Sequence, residues 1–593
     1  MSIYAAPIKE FQFVLEELAD LNAIAQFPGF EEATPEMVGA ILEEAGKLAT
    51  NVLDPINYSG DQQGAKLVDG KVQAADGFAE AYQQFIENGW TSVNFPEEVG
   101  GQGLPFLVQS AATEMWNAAN ASFALCPLLT AGAVEALLAH GSPELNKTYL
   151  EQMVSGNWTG TMNLTEPQAG SDLAAVRAQA EPVGDHYLIK GQKIFITWGD
   201  HEMSENVLHL VLARLPGAPE GVKGISLFLV PKFLVNEDGS LGERNDAYAI
   251  SLEHKMGIHA SPTCVMSFGD NGGAVGYLVG EPNNGLACMF TMMNHARLEV
   301  GMQGVGVSDR AYQRAVSYAR ERKQGTAHGH DGRVAIIHHP DVRRMLMHMR
   351  AMTEAARAVS FMCSSAHDIS HHSEDADQRA YYARRLGLLT PVAKAWCTEV
   401  GMEVTSLGVQ VHGGMGFMQE TGAEQHMRDA RIFPIYEGTN GIQANDLVGR
   451  KLLRDRGEAM GEFLAELQAF NESLEEHFDE GSGWRSGFNE ALSAFEDATH
   501  YLLFSVNENP NAAPSASFNY MMCMGVLAGG WLMIRSAIAA QAKIDAGESD
   551  TFYKSKITTA QFYVEQILPR ALAHKTAVMS GADSIMAMDA DAF

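Results

Sequence analysis

The sequence predicts a multidomain α+β fold in which a helical domain, a compact β-domain and a second helical domain follow one another. Apolar residues recur with helical spacing before about residue 160, short runs rich in Val, Leu, Ile and Phe come next, and helical spacing returns from Leu286 onward. The predicted segments are a helical extension at 1–35, an α-helical domain at 36–160, a β-domain at 161–285, a helical domain at 286–455 and an additional helical domain at 460–593.

The first helical domain is predicted from two amphipathic segments. Glu36–Leu48 and Ala79–Glu87 have helical spacing, and turn residues such as Pro96 and the pair Gly100–Gly101 follow them. Helices joined by tight turns are therefore expected in this region.

The β-domain is predicted from strand-like runs. His186–Lys190 and Lys193–Thr197 flank a short segment that contains Gly191, which predicts a hairpin. Several short strands in about 120 residues predict a compact sheet or small barrel. The other predicted strands are Asn206–Arg214, Gly224–Pro231 and Thr263–Phe268.

Helical periodicity dominates the second half of the chain. A helix break is expected at Pro391, and close helix packing is the expected reason for the glycines of Gly301–Gly306. A loop is predicted at Asn507–Ser517. The apolar stretch Tyr520–Ile534 is too short and Gly-rich for a membrane span, so a core helix is expected, with a surface contact to a membrane as the alternative. The predicted apolar faces comprise Tyr312, Ala315, Val316 and Ala319, then Val392, Trp396, Val400 and Val404, then Leu492, Phe495, Ala498 and Leu502.

The composition disfavours several classes of protein. With 41 Lys and Arg against 73 Asp and Glu, the net charge is −32, and so acidic a surface repels nucleic acid. The six cysteines are scattered and form no CxxC pair, so buried, reduced thiols and a cytoplasmic location are expected. The N-terminal residues lack a basic start followed by an apolar run, so a secretory signal is not expected.

A candidate ligand-binding loop joins the first helical domain to the β-domain. The run Leu164–Asp172 reads LTEPQAGSD, and its Pro and Gly fix a tight loop whose backbone N–H groups can face a ligand. The small residues Ala169, Gly170 and Ser171 permit close approach of a flat ring or a phosphate. Taken alone, the same pattern is typical of a surface turn.

Two further motifs contain glycine. Gly191–Thr197 reads GQKIFIT and ends a strand with a Thr hydroxyl beside an aromatic, which suits contact with a flat ring but also a plain hairpin. Gln410–Gly416 reads QVHGGMG after a long helix, where clustered Gly is often only a C-cap. It is not a GxGxxG after a strand, so it does not favour a Rossmann fold.

The fourth motif places a carboxylate at a turn. Glu437 lies between Tyr436 and Gly438, shortly after the run Arg428–Arg431 and just before a new helix. This is a poor position for a structural carboxylate, but a solvated loop Glu is an open alternative.

Together these four motifs resemble the acyl-CoA dehydrogenase family. The patterns TEPxAGSD, GxKxFIT, QxxGGxG and RDARIxxIYEGTNxIQ occur in the family's order and spacing over about residues 80–450. The resemblance implies a helical N-terminal domain, a barrel-like β-domain and a C-terminal four-helix bundle, with FAD lying between subunits. The leading extension and the helical region after residue 460 resemble the larger, bacterial members.

The resemblance implies FAD-dependent α,β-dehydrogenation of an acyl-CoA thioester to the trans-2-enoyl-CoA, with electrons passing to an electron-transfer flavoprotein. The expected substrate is 3-(methylthio)propanoyl-CoA, which would give 3-(methylthio)acryloyl-CoA. A general short- to medium-chain dehydrogenase, an acyl-CoA oxidase and a DNA-associated flavin-binding relative are the alternatives. A homo-oligomer is implied, and the extra helical region favours a dimer because it could cover a surface that smaller relatives use to pair dimers.

The resemblance also assigns roles to residues. Glu437 matches the catalytic base and flavin N5 would accept the hydride. The expected FAD contacts are Leu164, Thr165, Ser171, Phe195, Thr197, Arg322, Gln410, Gly414 and Thr439. The expected substrate contacts are Ser171, Arg297, Tyr436 and Gly438.

The chain departs from the family pattern in places. Many relatives carry Trp at the Phe195 position, and the usual RKTFG reads RKQG from Arg322. Some relatives place the base on a core helix beside an Arg, but here that position is Ala296, which cannot act as a base, and nearby Glu299 is expected on the helix surface or in an ion pair. No metal site is expected, because the histidines lack a ligand-like context. These histidines are His328, His330, His338 and His339.

Overall fold

The structure is a computed structural model that describes residues 3–505 and 509–593. The chain folds into two compact units. The helical unit comprises Met1–Glu43, Ser110–Glu114 and Val300–Phe593, and the sheet unit comprises Glu44–Gln109 and Met115–Glu299. The mixture of helix and strand confirms the predicted α+β class, whereas the five domain limits stay a prediction.

Helices account for most of the described chain. The predicted helices at Glu36–Leu48 and Ala79–Glu87 are confirmed to within one residue, and the long helix α6 is kinked at Asn120. The α-helices are α1 Ile8–Glu17, α2 Leu21–Ile24, α3 Pro35–Leu48, α4 Asp54–Gln63, α5 Phe78–Glu87, α6 Phe106–His140, α7 Pro143–Val154, α8 Gly285–Glu321, α9 Pro340–His372, α10 Ala376–His412, α11 Ala423–Ala430, α12 Asn440–Asp446, α13 Glu458–Ser473, α14 Gly483–Ser505, α15 Ala512–Asp545, α16 Thr551–Gln566, α17 Arg570–Met579 and α18 Asp583–Met586.

The sheet unit is built around an eight-stranded sheet. Its strand order is β10-β11-β5-β12-β7-β6-β3, and β4 pairs with β5 and β6. Alternate apolar side chains, including Ile189, Val211, Phe228 and Met266, form its buried core. The strands are β1 Lys66–Val68, β2 Lys71–Gln73, β3 Trp158–Asn163, β4 Gln179–Val183, β5 His186–Thr197, β6 Asn206–Arg214, β7 Ile225–Pro231, β8 Phe233–Val235, β9 Leu241–Arg244, β10 Ala247–Leu252, β11 Thr263–Phe268 and β12 Ala274–Val279.

The hairpin predicted around Gly191 is wrong. His186–Thr197 is one continuous strand. The chain reverses before this strand, at Gly184, where φ is +62°. Gly191 has φ +150°, and a Cβ there would lie 2.8 Å from Ala178 Cβ. Glycine is needed at 191 for close backbone approach rather than for a turn.

The predicted close packing of the glycines in α8 is confirmed. A Cβ on Gly301 would lie 2.8 Å from the Ala393 carbonyl oxygen, and one on Gly304 would lie 2.5 Å from that of Cys397. Both contacts join α8 to α10. The predicted break at Pro391 is wrong, because α10 runs through it unbroken. Burial of the residues around Pro391 offsets the one lost backbone hydrogen bond.

The apolar stretch Tyr520–Ile534 is confirmed as part of a core helix. It lies inside α15, where Gly525 and Gly529 leave room for the Trp396 ring. Both α6 and α15 have the length and hydropathy of a membrane span, but 83% of the most apolar window of each is buried. Of the predicted loop Asn507–Ser517, residues 507 and 508 lie outside the described residues, and residues 512–517 are helical.

Buried charges join helix α1 to α9 and α16 within the helical unit. Lys556 in α16 is 1% exposed and donates to Glu10 of α1 and Glu354 of α9, each at 2.7 Å. Arg357 forms a two-pronged pair with Glu114 in the same unit. All six cysteines are buried free thiols, as predicted.

Candidate active site

A glutamate with a strained backbone lies in the helical unit. Arg431–Thr439, here called the Glu437 loop, connects α11 to α12. Glu437 has φ +54°, a left-handed conformation that non-glycine residues rarely adopt, and Gly438 follows at +85°. Such strain persists only where the surroundings hold the backbone firmly, and it is concentrated at functional sites.

A buried lysine holds the two ends of the Glu437 loop. Lys394 of α10 is 0% exposed. Its Nζ donates to the Phe433 carbonyl oxygen at 2.8 Å and to Asn440 Oδ1 at 3.0 Å. The Asn440 N–H also donates to the Pro434 carbonyl oxygen at 2.9 Å, which closes the loop on itself.

The amide of Asn440 fastens the start of α12 to α10. Its Nδ2 donates to Thr398 Oγ1 at 3.0 Å, to Glu399 Oε1 at 2.8 Å and to the Ala395 carbonyl oxygen at 3.2 Å. The preceding Thr439 caps α12, because its side chain accepts a hydrogen bond from the Ile442 N–H at 3.3 Å.

Tyr436 and Gln443 flank Glu437 with polar groups. The Tyr436 hydroxyl donates to Gln303 Oε1 of α8. Burial, followed by the negative charge of Glu437, holds the pKa of Tyr436 well above its ordinary value, so the phenol stays neutral. Gln443 is 0% exposed, its Nε2 faces the Glu437 and Gly438 carbonyl oxygens, and its Oε1 has no hydrogen-bond partner among the described residues.

A second anchored loop lies in the sheet unit. Leu164–Asp172, here called the Glu166 loop, follows β3. Lys193 of β5 is 0% exposed, and its Nζ donates to the Leu164 carbonyl oxygen at 3.0 Å and to Glu166 Oε1 at 2.7 Å. The carboxylate also accepts from the Arg177 and Ala178 N–H groups at 2.8 and 3.0 Å. Burial alone would raise the pKa of Glu166, but Lys193 and these N–H groups hold it below its ordinary value.

The end of β5 presents an aromatic ring next to this loop. Phe195 is 59% exposed and has φ +61°, while the Ile194 N–H donates to the Thr165 carbonyl oxygen at 2.9 Å. Thr197 is partly buried, and Ser171 is exposed. An aromatic ring held open to solvent by a strained backbone, beside a hydroxyl and a small-residue loop, fits a flat ring cofactor such as a flavin. Asn163 Oδ1, buried just before the loop, lacks a hydrogen-bond partner in the described chain and is a further acceptor here.

The remaining predicted contacts are distributed between the two units. Arg322 lies exposed just after α8, and Gln410 and Gly414 are exposed at the end of α10, all in the helical unit. Arg297 lies in the sheet unit, is 6% exposed and donates to Asn294 Oδ1 at 3.2 Å. Of the two positions expected for Glu299, the helix surface is wrong, since Glu299 is 2% exposed, and the ion pair stays a prediction.

The predicted site residues thus form one set in each unit. The sheet-unit set comprises Leu164, Thr165, Ser171, Phe195, Thr197 and Arg297, and the helical-unit set comprises Arg322, Gln410, Gly414, Tyr436, Glu437, Gly438 and Thr439. Within the described residues, no group of three or more His, Cys, Asp or Glu side chains is arranged to hold a metal ion.

Sequence reasoning missed the residues that hold both loops. Glu166 and Lys193 lie inside two of the recognised motifs, so their motif positions were a usable signal. Asn440 likewise lies in the fourth motif. Lys394 lies in the middle of a helix outside every motif, and only folding brings it to the Glu437 loop.

Four family profiles match the chain in succession. They are the acyl-CoA dehydrogenase N-terminal domain at residues 61–157, the middle domain at 161–271, the C-terminal domain at 283–452 and the acetyl-CoA dehydrogenase C-terminal-like domain at 460–589.

Full-length relatives agree with these matches. The chain is 46% identical to 3-methylmercaptopropionyl-CoA dehydrogenase of Ruegeria pomeroyi, over 98% of this chain and 99% of the relative. It is 34% identical to a butyryl-CoA dehydrogenase of Syntrophomonas wolfei, over 100% and 99%. The fold matches the acyl-CoA dehydrogenase from Bacillus anthracis complexed with FAD at a TM-score of 0.73, with 22% identity over 95% of this chain and 91% of that one. The chain therefore belongs to the acyl-CoA dehydrogenase family, a family of FAD-dependent oxidoreductases.

Proposed function

We propose that this acyl-CoA dehydrogenase oxidises 3-(methylthio)propanoyl-CoA to 3-(methylthio)acryloyl-CoA, with Glu437 as the base that removes the α-proton. The relative that carries this substrate in its name is 46% identical over almost the whole chain, against 34% for the butyryl-CoA enzyme. Both figures support the acyl-CoA class, and their difference favours the methylthio substrate.

The geometry of Glu437 carries the proposal. The α-proton of a thioester is weakly acidic, so its removal needs a carboxylate fixed in one position. Glu437 is fixed in this way, because its left-handed backbone lies in a loop whose two ends Lys394 holds. The neutral phenol of Tyr436 cannot compete as a base, because its pKa is well above the ordinary value.

The other chain groups bind and orient. When bound, FAD supplies a hydride acceptor, which no side chain can provide. Phe195 and Thr197 would contact the ring, and Leu164, Thr165 and Ser171 would hold its edge and the pyrophosphate. From the helical unit, Arg322, Gln410, Gly414 and Thr439 would contact FAD. Ser171, Arg297, Tyr436 and Gly438 would contact the thioester substrate.

The proposal extends to the location, oligomeric state, electron acceptor and metabolic role of the enzyme. We place the enzyme in the cytoplasm as a homodimer that passes its electrons to an electron-transfer flavoprotein. With the methylthio substrate, its role is in the degradation of dimethylsulfoniopropionate. The competing reading is a general short- to medium-chain fatty acyl-CoA dehydrogenase of β-oxidation, which the 34%-identical butyryl-CoA relative favours.

Anaerobic bleaching of the bound flavin tests both substrate and base. We expect the methylthio thioester to bleach the flavin faster than butyryl-, hexanoyl- or octanoyl-CoA. The variant Glu437→Gln should bind FAD with the normal visible spectrum yet bleach at least about 1,000-fold more slowly, because it has lost the group that takes the proton. The matched control is Glu420→Gln, which changes an exposed carboxylate in the same unit and should bleach normally.

Three results would contradict the proposal. Bleaching of Glu437→Gln at the unmodified rate removes Glu437 from its role. Preference for a straight-chain thioester over the methylthio compound replaces the substrate with the fatty acyl alternative. Peroxide release during turnover in air, at the rate of product formation, would identify an oxidase instead.

A further inference from the structure

Glu437 is one of the six residues between Phe433 and Asn440. The side chain of Lys394 joins Phe433 to Asn440 and so bridges this segment. Lys394 Nζ donates to the carbonyl oxygen at one end and to the amide oxygen at the other, at 2.8 and 3.0 Å. Lys394, Phe433 and Asn440 are here called the loop clamp. All three are buried, with exposures of 0%, 0% and 4%.

Asn440 of the clamp is also bonded directly to the middle of α10. Asn440 accepts from Lys394 through Oδ1 and donates through Nδ2 to Thr398 and Glu399. Lys394 lies about one helical turn before these two residues, so the loop is attached to one continuous face of α10. Helix α10 therefore holds the two ends of the loop together, in addition to the hydrogen bond from the Asn440 N–H to the Pro434 carbonyl oxygen.

We propose that Lys394 is a positioning residue that keeps Glu437 in its strained conformation and so sets the rate of α-proton removal. The inference rests on the proposed role of Glu437 as base. Without the bridge from Phe433 to Asn440, the loop can relax from φ +54° at Glu437 toward more populated backbone conformations. A shift of about 1 Å in a reacting group lowers a rate by about 100-fold.

A purely structural lysine would behave differently, and the same unit contains one. Lys556 is also buried, at 1% exposed, and also bridges two segments, through Glu10 and Glu354. None of these three residues belongs to the Glu437 loop. Lys556→Met is therefore a matched control that removes a buried lysine of the same unit without touching the clamp.

The experiment compares Lys394→Met with Lys556→Met as FAD-loaded proteins. Met keeps the length of the side chain and removes its three donors. We expect Lys394→Met to bleach the flavin about 10- to 100-fold more slowly at saturating substrate, with a substrate dissociation constant changed less than about threefold. Lys556→Met should melt at a lower temperature but bleach within about twofold of the unmodified rate.

A double variant tests whether Lys394 acts through Glu437. In a Glu437→Gln background the base is already absent, so adding Lys394→Met should cause no further loss of rate. Full additivity of the two losses would overturn the proposal. This comparison also separates it from the proposed function. A normal bleaching rate for Glu437→Gln would refute Glu437 as the base. A slow rate for Glu437→Gln together with a normal rate for Lys394→Met would refute only the role of the clamp.

A second pair of measurements covers the case in which Lys394→Met does not fold. Asn440→Ala opens the clamp from its other end and should lower the bleaching rate in the same direction. Hydrogen exchange in residues 434–439 should quicken in this variant while exchange in α9 is unchanged. Unmodified rates in every clamp variant that folds, or an equal fall in Lys556→Met, would overturn the proposal.

Discussion

The two anchored loops use the same device with different partners. In each, a fully buried lysine donates to one backbone carbonyl oxygen of the loop: Lys193 to Leu164, and Lys394 to Phe433. The second acceptor differs. Lys193 meets the carboxylate of Glu166, whereas Lys394 meets the neutral amide of Asn440.

Because of this difference, we expect loss of Lys193 to affect mainly stability and loss of Lys394 to affect mainly activity. Removing Lys193 leaves a carboxylate that is 4% exposed without its cation, and an unpaired buried charge is costly. Removing Lys394 breaks its hydrogen bonds to the Phe433 carbonyl oxygen and the Asn440 amide oxygen, and it frees the segment that contains the strained Glu437. We therefore expect Lys193 mainly to maintain the fold, and Lys394 to maintain the geometry of the Glu437 loop as well.

The largest expected effect is therefore on stability in the sheet unit. Lys193→Met should lower the free energy of unfolding by about 3–5 kcal/mol and reduce the FAD content of the purified protein. Lys394→Met should lower it by only about 1–3 kcal/mol. Urea unfolding and the flavin-to-protein absorbance ratio measure both quantities.

The control for this prediction removes the stranded charge. Lys193→Met combined with Glu166→Gln should recover part of the lost stability, because Gln carries no charge and its single amide oxygen can still accept from one of the two N–H groups, Arg177 or Ala178. A larger stability loss for Lys394→Met than for Lys193→Met would reverse the comparison.

Acidification should distinguish the two loops next. The pKa of Glu166 is below its ordinary value of 4.5, so its ionised form contributes stability that is present above pH 4.5 and lost as the pH falls through the folded pKa. The carbonyl of Phe433 and the amide of Asn440 do not titrate there. Hydrogen exchange, corrected for its intrinsic pH dependence, should therefore quicken at low pH in Leu164–Asp172 before it does in Arg431–Thr439. Glu166→Gln should abolish the difference, and equal protection of both loops down to the acid transition would contradict it.

The smallest expected effect concerns the cap of α12. Thr439→Val keeps the shape of the side chain but loses the acceptor for the Ile442 N–H, and should cost about 1 kcal/mol. Thr439→Ser retains the acceptor and serves as the control. Thermal unfolding of the two variants decides the point, and an equal loss in both would show that the cap hydrogen bond is unimportant.

Local sequence patterns predict most of the helices and strands but not the contacts between distant segments that hold them together. The strands Asn206–Arg214 and Thr263–Phe268 appear with their predicted bounds, because apolar runs between turn residues report burial directly. The hairpin predicted at Gly191 is wrong because a glycine that permits close approach to Ala178 has the same local signature as one that turns the chain. The helix break predicted at Pro391 is wrong because packing outweighs one missing hydrogen bond.

The same limit applies to the candidate site. Glu437 was predicted from its motif, and the structure adds its left-handed conformation. Lys394 was not predicted, because its partners Phe433 and Asn440 lie about 40 residues further along the chain and no periodicity records such a pairing. Hydrogen bonds between distant segments exist only once the helices have packed.

The buried pairing of Glu10 with Lys556 has a consequence for how the chain matures. These residues are 546 positions apart, so α1 leaves the ribosome long before its lysine has been synthesised. Contacts between residues so far apart in the sequence form late and slow the folding of the chain. The Glu10–Lys556 pair therefore forms only after α16 has been synthesised, although α1 also packs on α9 through Phe11 and Phe361, and a product that stops before α16 would lack this partner of Glu10.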